Sequence, residues 1–451
     1  MLSSRLPKDL SPSPFFAELE RVKACAKKDA AEGGLSFIDM TVSSPVKAGL
    51  PVEMDSAIET ARKEFGCWNP DAAGWKSARE AVVEYYRERG GNFTAGQILL
   101  TASTSEAYSV LFKTFCDPGD VILTPMPGYP LLDTLAQLEH LECAPYFLQL
   151  RRENARKLAT GERREGAAFR FVLDSDSLLA APEKAKILLL VSPHNPTGHC
   201  VSREEWNAAV RFCEENDMIL VVDEVFGDYG FSEKVSRTWK YVFGVCHPEP
   251  SLSQSSPSKS FSTEGRESIH CRFNDFWDAG GNDLINLPED GPKCPIFWLN
   301  GLSKAVGSPQ LKLGWMAFYA PREHFEEIRA ALEFVEDAYL SVSAPAQALG
   351  MSLLPKASAY EAQVKDRLLA NWQTLREAFP AKYCPEVLGG WYAVVRLGED
   401  DEELTLRLLQ EKHVLVQPGF FFDFDEDGWV VISLLQEPAI FKEAVRRMAD
   451  R

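Results

Sequence analysis

Six short apolar runs, "QILLT", "VILTP", "KILLLVSP", "MILVVDE", "IFWLNG" and "GWMAFY", recur through the first two thirds of the chain and constrain its fold more than any other feature. Each has the length of a strand buried on both faces, and an unbroken apolar run is what such a strand needs when neither face meets water. Helical patterns lie between them, from Ser105 to Cys116 and from Arg203 to Asn216, the second opened by Ser202 and Glu205 at capping-box spacing. Strands separated by helices at this interval predict an α/β layer with a mostly parallel sheet, its strand carboxyl ends along one edge. A ligand is expected at that edge.

After "GWMAFY" the pattern changes to long helices, from about Glu323 to Phe379, then short strands at "GGWYAVVRL", "VLVQPG" and "WVVISLL" and a closing helix near Ala439 to Ala449. The expected organisation is a large α/β domain over residues 46–329, a small C-terminal α+β domain over 330–451, and an N-terminal segment, 1–45, packed on the small domain. Residues 229–295 interrupt the rhythm with "HPEPSLSQSSPSKSFSTEGRES", rich in serine and proline and poor in apolar residues, and read as an insertion. No internal repeat is present.

A formal charge of −18 argues against a phosphate backbone as the main partner and leaves room only for a local pocket holding one phosphate group. No apolar run approaches a bilayer span, and the first thirty residues carry Lys8, Asp9, Glu18, Arg21 and Lys23 where a signal peptide needs an apolar core, so a cytoplasmic protein is expected. The ten cysteines include no C-x-x-C pair and read as reduced, packed thiols. Cys246-His247 and His270-Cys271 invite a zinc reading, but neighbouring side chains diverge and the segment is serine-rich, so no metal is expected.

Three polar clusters fall at the ends of apolar strands: "VSPHNPTG", "VVDEVF" and "LNGLSK". In a parallel sheet such ends converge in space although far apart in sequence. Standing alone, Asp223 reads equally well as a helix-capping carboxylate, Asn195 as a turn residue before Pro196, and Lys304 as a solvated charge at a strand end. "TASTSEA" likewise reads as an ordinary N-cap or as an anion cup made by the amides of Ser103, Thr104 and Ser105.

Together and in this order, "HNPTG", "DEVF" and "SKAVGSPQLKLGW", preceded by "YRERGGNFTAGQILLTASTSEA" and "DPGDVILTPMPGYP", resemble the aminotransferase class I and II family, the fold type I enzymes that use pyridoxal 5'-phosphate. The resemblance covers most of the chain and implies a mostly parallel, seven-stranded-type sheet sandwiched by helices, with a smaller α+β domain. It implies that Lys304 holds the cofactor as an internal aldimine and, once freed by substrate, shuttles the proton at the substrate's α-carbon. Asp223 is implied to face the pyridine nitrogen, Asn195 to donate to the ring's phenolic oxygen, and Tyr129 to stack on the ring. Ser103, Thr104, Ser105 and Lys312 are implied to hold the phosphate, Lys312 in place of the family's arginine.

The chain departs from the family at several positions. Phe226 replaces a tyrosine that bonds the phenolic oxygen, Gly301 a serine, and Trp68 the tyrosine that reaches the phosphate from a partner subunit. Val431 replaces the arginine that grips the substrate's carboxylate, which leaves Arg396 and Lys47 as candidates for that task. The expected activity is transfer of an amino group from an amino acid to a 2-oxo acid by a homodimer, without nucleic acid or membrane partners. Two alternatives are a carbon–sulfur or β/γ-elimination lyase with the same cofactor and a catalytically silent regulator. A serine hydrolase built on Ser303 is set aside, because "GLSKA" lacks the final glycine of a nucleophile elbow.

Overall fold

The computed structural model describes residues 3–450 except 8, 12, 68, 155–166, 233, 234, 236, 244–290 and 399. The strands are β1 (Ile38–Asp39), β2 (Ile98–Thr101), β3 (Val121–Met126), β4 (Glu142–Asn154), β5 (Ala167–Leu173), β6 (Ala185–Val191), β7 (Ile219–Asp223), β8 (Ile296–Gly301), β9 (Gly314–Tyr319), β10 (Tyr392–Arg396), β11 (Val414–Leu415), β12 (Gln417–Pro418) and β13 (Trp429–Ser433). Eight of them form one sheet in the order β2-β9-β8-β7-β6-β3-β4-β5. Within it β9 and β5 run against the others, so the sheet is mostly parallel, with β5 added where β4 extends beyond β3.

Helices cover both faces, and the apolar runs divide between them by strand parity. Leu188, Leu190, Leu220, Val222, Ile296 and Trp298 face one core, while Ile187, Leu189, Ile219, Val221, Phe297 and Leu299 face the other. Burying each such side chain contributes roughly 1.5–3 kcal/mol, which is why the buried stretches of these strands are apolar. The helix Thr104–Phe115 packs Ala107, Tyr108, Leu111 and Phe112 into the second core.

A second sheet, β10-β13-β12, is antiparallel. The N-terminal helix Pro14–Ala31, capped by Ser13, buries Phe15, Leu19, Val22 and Ala26 against Leu409 and Leu415, and β1 pairs parallel with β11. Of the segment read as an insertion, residues 244–290 lie outside the described residues, Cys246, His247, His270 and Cys271 among them. Its beginning is core. Tyr229, Thr238 and Trp239 are fully buried, and Glu224 of "DEVF" anchors Thr238 by accepting from its amide at 2.7 Å and its hydroxyl at 2.6 Å. The rhythm breaks there because a buried carboxylate needs donors, and this segment supplies them. Among the described residues no helix is long and apolar enough to cross a membrane.

Candidate active site

Register lines up the strand ends. Thr101 pairs with Gly314, Gly314 with Gly301, and one strand further Asp223 lies between Leu299 and Val191. Adjacent strands are about 4.8 Å apart, so the turns after β2, β6, β7 and β8 lie near one another along one sheet edge.

At its β2 end Ser103 caps the helix Thr104–Phe115, accepting from Glu106 N–H at 3.1 Å, and Thr101 Oγ1 donates to Ser103 O at 2.9 Å. The amides of Thr104 and Ser105, in the first turn, precede any intrahelical acceptor. The chain before β9 closes on this turn, and a Cβ at Gly314 would stand 3.0 Å from Ser103 C and 3.1 Å from Thr104 N. Lys312, two residues earlier, is exposed and ion-paired to no described residue.

Lys304 sits in the single turn Leu302–Ala305 directly after β8, and Gly307 completes the turn at φ +63 beneath Tyr360. The Lys304 carbonyl accepts from Tyr229 Oη at 2.6 Å. Its Nζ has no hydrogen-bond partner among the described residues and lies 4.6 Å from the ring centre of Trp391 and 5.2 Å from that of Phe226. Burial pushes this amine down to about 8, partly offset by the charge of Asp223. Trp391 gets there because Gly389 bridges to Gly230, which brings the start of β10 against the end of the β7 turn.

Burial raises Asp223 above the usual carboxylate range, opposed by two hydrogen bonds and by Lys304. Val225 N–H donates to Oδ1 at 3.0 Å and Tyr108 Oη donates to Oδ2 at 2.8 Å. Tyr129 is half exposed, and its hydroxyl is pushed up first by burial and then by the charge of Asp223. Asn195 is 9 % exposed, and its buried Oδ1 has no partner among the described residues.

Lys304, Asp223 and Tyr129 therefore share one electrostatic environment, with Asn195 and the Ser103–Ser105 turn on neighbouring strand ends. Arg396 is elsewhere. Tyr392, at the start of β10, touches the Phe226 ring, the two centres 5.9 Å apart. Arg396 is four residues further, roughly 13 Å along an extended strand, and pairs with Glu426. Lys47 is exposed on the turn after Pro45, and Trp68 lies outside the described residues. Val431 is fully buried on the same face as Tyr392, opposite Val394. Tyr108, Trp391 and Tyr392 were not anticipated. Tyr108 has a signal in hindsight, since it falls one helical turn after Thr104 on the face that meets Asp223.

A profile of the family described as aminotransferase class I and II matches residues 53–267 and 270–448. The chain is 21% identical over 438 residues to the glutamate-pyruvate aminotransferase AlaA of Haemophilus influenzae, covering 93% of this chain and 91% of that protein. It is 25% identical over 394 residues to the alanine aminotransferase of Mycobacterium bovis, covering 84% and 77% respectively. Among solved structures, an alanine aminotransferase from Pyrococcus furiosus superposes with a TM-score of 0.71 at 20% identity over 97% of this chain and 98% of that one. An aspartate aminotransferase double mutant from Thermus thermophilus gives 0.71 at 21% identity over 100% and 99%. The fold is thus fold type I, and the chain belongs to the aminotransferase class I and II family, pyridoxal-phosphate-dependent transaminases.

Proposed function

We propose that Lys304 and Asp223 are the catalytic pair of a transaminase that moves an amino group from an amino acid to a 2-oxo acid. The observation that carries this reading is an amine and a carboxylate, both partly buried and coupled by charge, at adjacent strand ends of one sheet edge. The residues present fit pyridoxal phosphate. Among the described residues Asn195 has a buried side-chain amide with an unpartnered end, the Thr104 and Ser105 amides lack intrahelical acceptors, and Lys304 Nζ is bonded to nothing.

When bound, the cofactor supplies an aldehyde for the lysine and a pyridinium ring that accepts the electron pair released at the substrate's α-carbon. With its pKa near 8, roughly a tenth of Lys304 is uncharged at pH 7, against less than a thousandth for an ordinary lysine. Lys304 Nζ is thereby available as nucleophile, and later as the base that takes the α-carbon proton. Asp223 would hold a proton on the ring nitrogen. The Asn195 amide would turn a donor to the phenolic oxygen, for which Phe226 has none to offer, and Tyr129 would cover the ring. Ser103, Thr104 and Ser105 would receive the phosphate with amides and hydroxyls, and Lys312 would add charge nearby.

We further propose the division into residues 1–45, 46–329 and 330–451, a homodimer with Trp68 completing the partner's site, and a cytoplasmic location. The eight described cysteines are all free thiols, which supports a reducing compartment. The protein supplied with pyridoxal phosphate is expected to absorb in the visible, and borohydride is expected to abolish that band. Lys304→Ala should never acquire it; failure of the wild type to take up cofactor would end the proposal. A panel of amino acids with and without 2-oxo acids then separates chemistries. Strict dependence on the acceptor supports transamination, and pyruvate or thiol released without an acceptor would assign elimination instead.

A further inference from the structure

The carboxylate of Asp223 is held by two groups of different origin. One is local, the amide of Val225 two residues on, at 3.0 Å. The other arrives from 115 positions away, the Tyr108 hydroxyl at 2.8 Å. Tyr108 is 4 % exposed and lies on the helix whose first turn is the Ser103–Ser105 cup. Its ring packs at 6.0 Å from Phe112 in the second core, so its position is fixed by that core.

We propose that Tyr108 is a positioning residue for the cofactor: by donating to Asp223 Oδ2 it fixes the carboxylate's rotamer and favours its ionised form. This rests on the reading of Asp223 as the partner of the ring nitrogen. One helix then serves both ends of the cofactor site. Its N-terminal amides and Ser103 border the anion cup, and Tyr108, about 6 Å further along the axis from Thr104, sets the carboxylate. Because a rigid helix joins the two, the spacing between cup and carboxylate is built into its geometry, independently of the loops after β6 and β8.

Burial alone pushes Asp223 towards the neutral acid, which cannot hold a ring proton by charge. The groups that oppose this are few. Val225 N–H, Tyr108 and Lys304 favour the anion, and Glu224 and Tyr129 are the other titratable groups coupled to Asp223. On its own side Tyr108 is raised by burial, by Asp223 and by Tyr146, so it stays a neutral donor through the working pH range.

Four proteins test this: wild type, Tyr108→Phe, Asp223→Asn and the double variant, each with its pyridoxal phosphate dissociation constant measured by equilibrium dialysis. Phenylalanine keeps the ring in the core and removes only the hydroxyl, and near-ultraviolet circular dichroism checks that packing is retained. A hydrogen bond to a charged acceptor is worth enough for Tyr108→Phe to weaken cofactor binding about tenfold. The pH midpoint of the bound cofactor's visible absorbance is expected to move as well, and neither change should recur in the Asp223→Asn background. Binding within twofold of wild type in Tyr108→Phe would overturn the proposal, as would the same tenfold loss on top of Asp223→Asn, which would mark a purely structural role. Unchanged binding in Asp223→Asn would remove the underlying reading of Asp223, and the proposal with it.

Discussion

A lysine amine held out of water for chemistry costs stability, and Lys304→Met is expected to make the cofactor-free protein more stable. Folding lowers the pKa of Lys304 from 10.5 to about 8, burial being the main cause. In the window between those values the unfolded chain binds the extra proton, so the penalty is complete below pH 8 and fades as pH rises towards 10.5. At about 1.4 kcal/mol per unit it amounts to about 3 kcal/mol at pH 7 and about 1 kcal/mol at pH 9.5. The ammonium recovers some of this on the faces of Trp391 and Phe226, at 4.6 and 5.2 Å, so the net gain expected from methionine at pH 7 is about 2 kcal/mol. Urea unfolding of both cofactor-free proteins at pH 7 and 9.5 measures it, with equal m-values as the check on two-state behaviour. The variant should be the more stable at pH 7 and the gap should shrink by most of its size at pH 9.5. A variant no more stable than wild type, or a gap independent of pH, would refute the idea that Lys304 is desolvated.

Gly307→Ala places a Cβ 2.0 Å from Tyr360 Oη at φ +63, and a loss of at least ~2 kcal/mol is expected in the same urea assay. Gly314→Ala pushes on Ser103 and Thr104 from 3.0–3.1 Å, so cofactor affinity should fall about tenfold, read by dialysis, with the overall fold retained in circular dichroism. Asp228→Asn leaves the buried guanidiniums of Arg89 and Arg237 without their shared carboxylate and should cost about 3–5 kcal/mol in urea unfolding. Arg396→Ala should leave the Michaelis constants for amino acid and 2-oxo acid within about twofold, because the side chain is spent on a partly exposed pair with Glu426.

The strands and the residues at their ends were legible because both obey local rules. A strand buried on two faces must be an apolar run, and polar residues gather just past its carboxyl end, which is how Asn195, Asp223 and Lys304 stand out. β5 was not legible, since it adds to the free length of β4 and its register depends on a partner strand rather than on its own pattern. Arg396 drew notice as a cation on a short strand, and its partner Glu426 becomes visible only when β10 and β13 are paired.

What the sequence determined by itself is the periodicity of each segment and the order in which chemical groups reach the sheet edge. Only the tertiary structure decided which group answers which: Tyr108 with Asp223, Trp391 with Lys304, Tyr229 with the lysine's carbonyl. Side-chain alternation is a property of neighbours along the chain, whereas these partnerships follow from strand register and helix packing, where one residue of slip would turn every side chain to the opposite core.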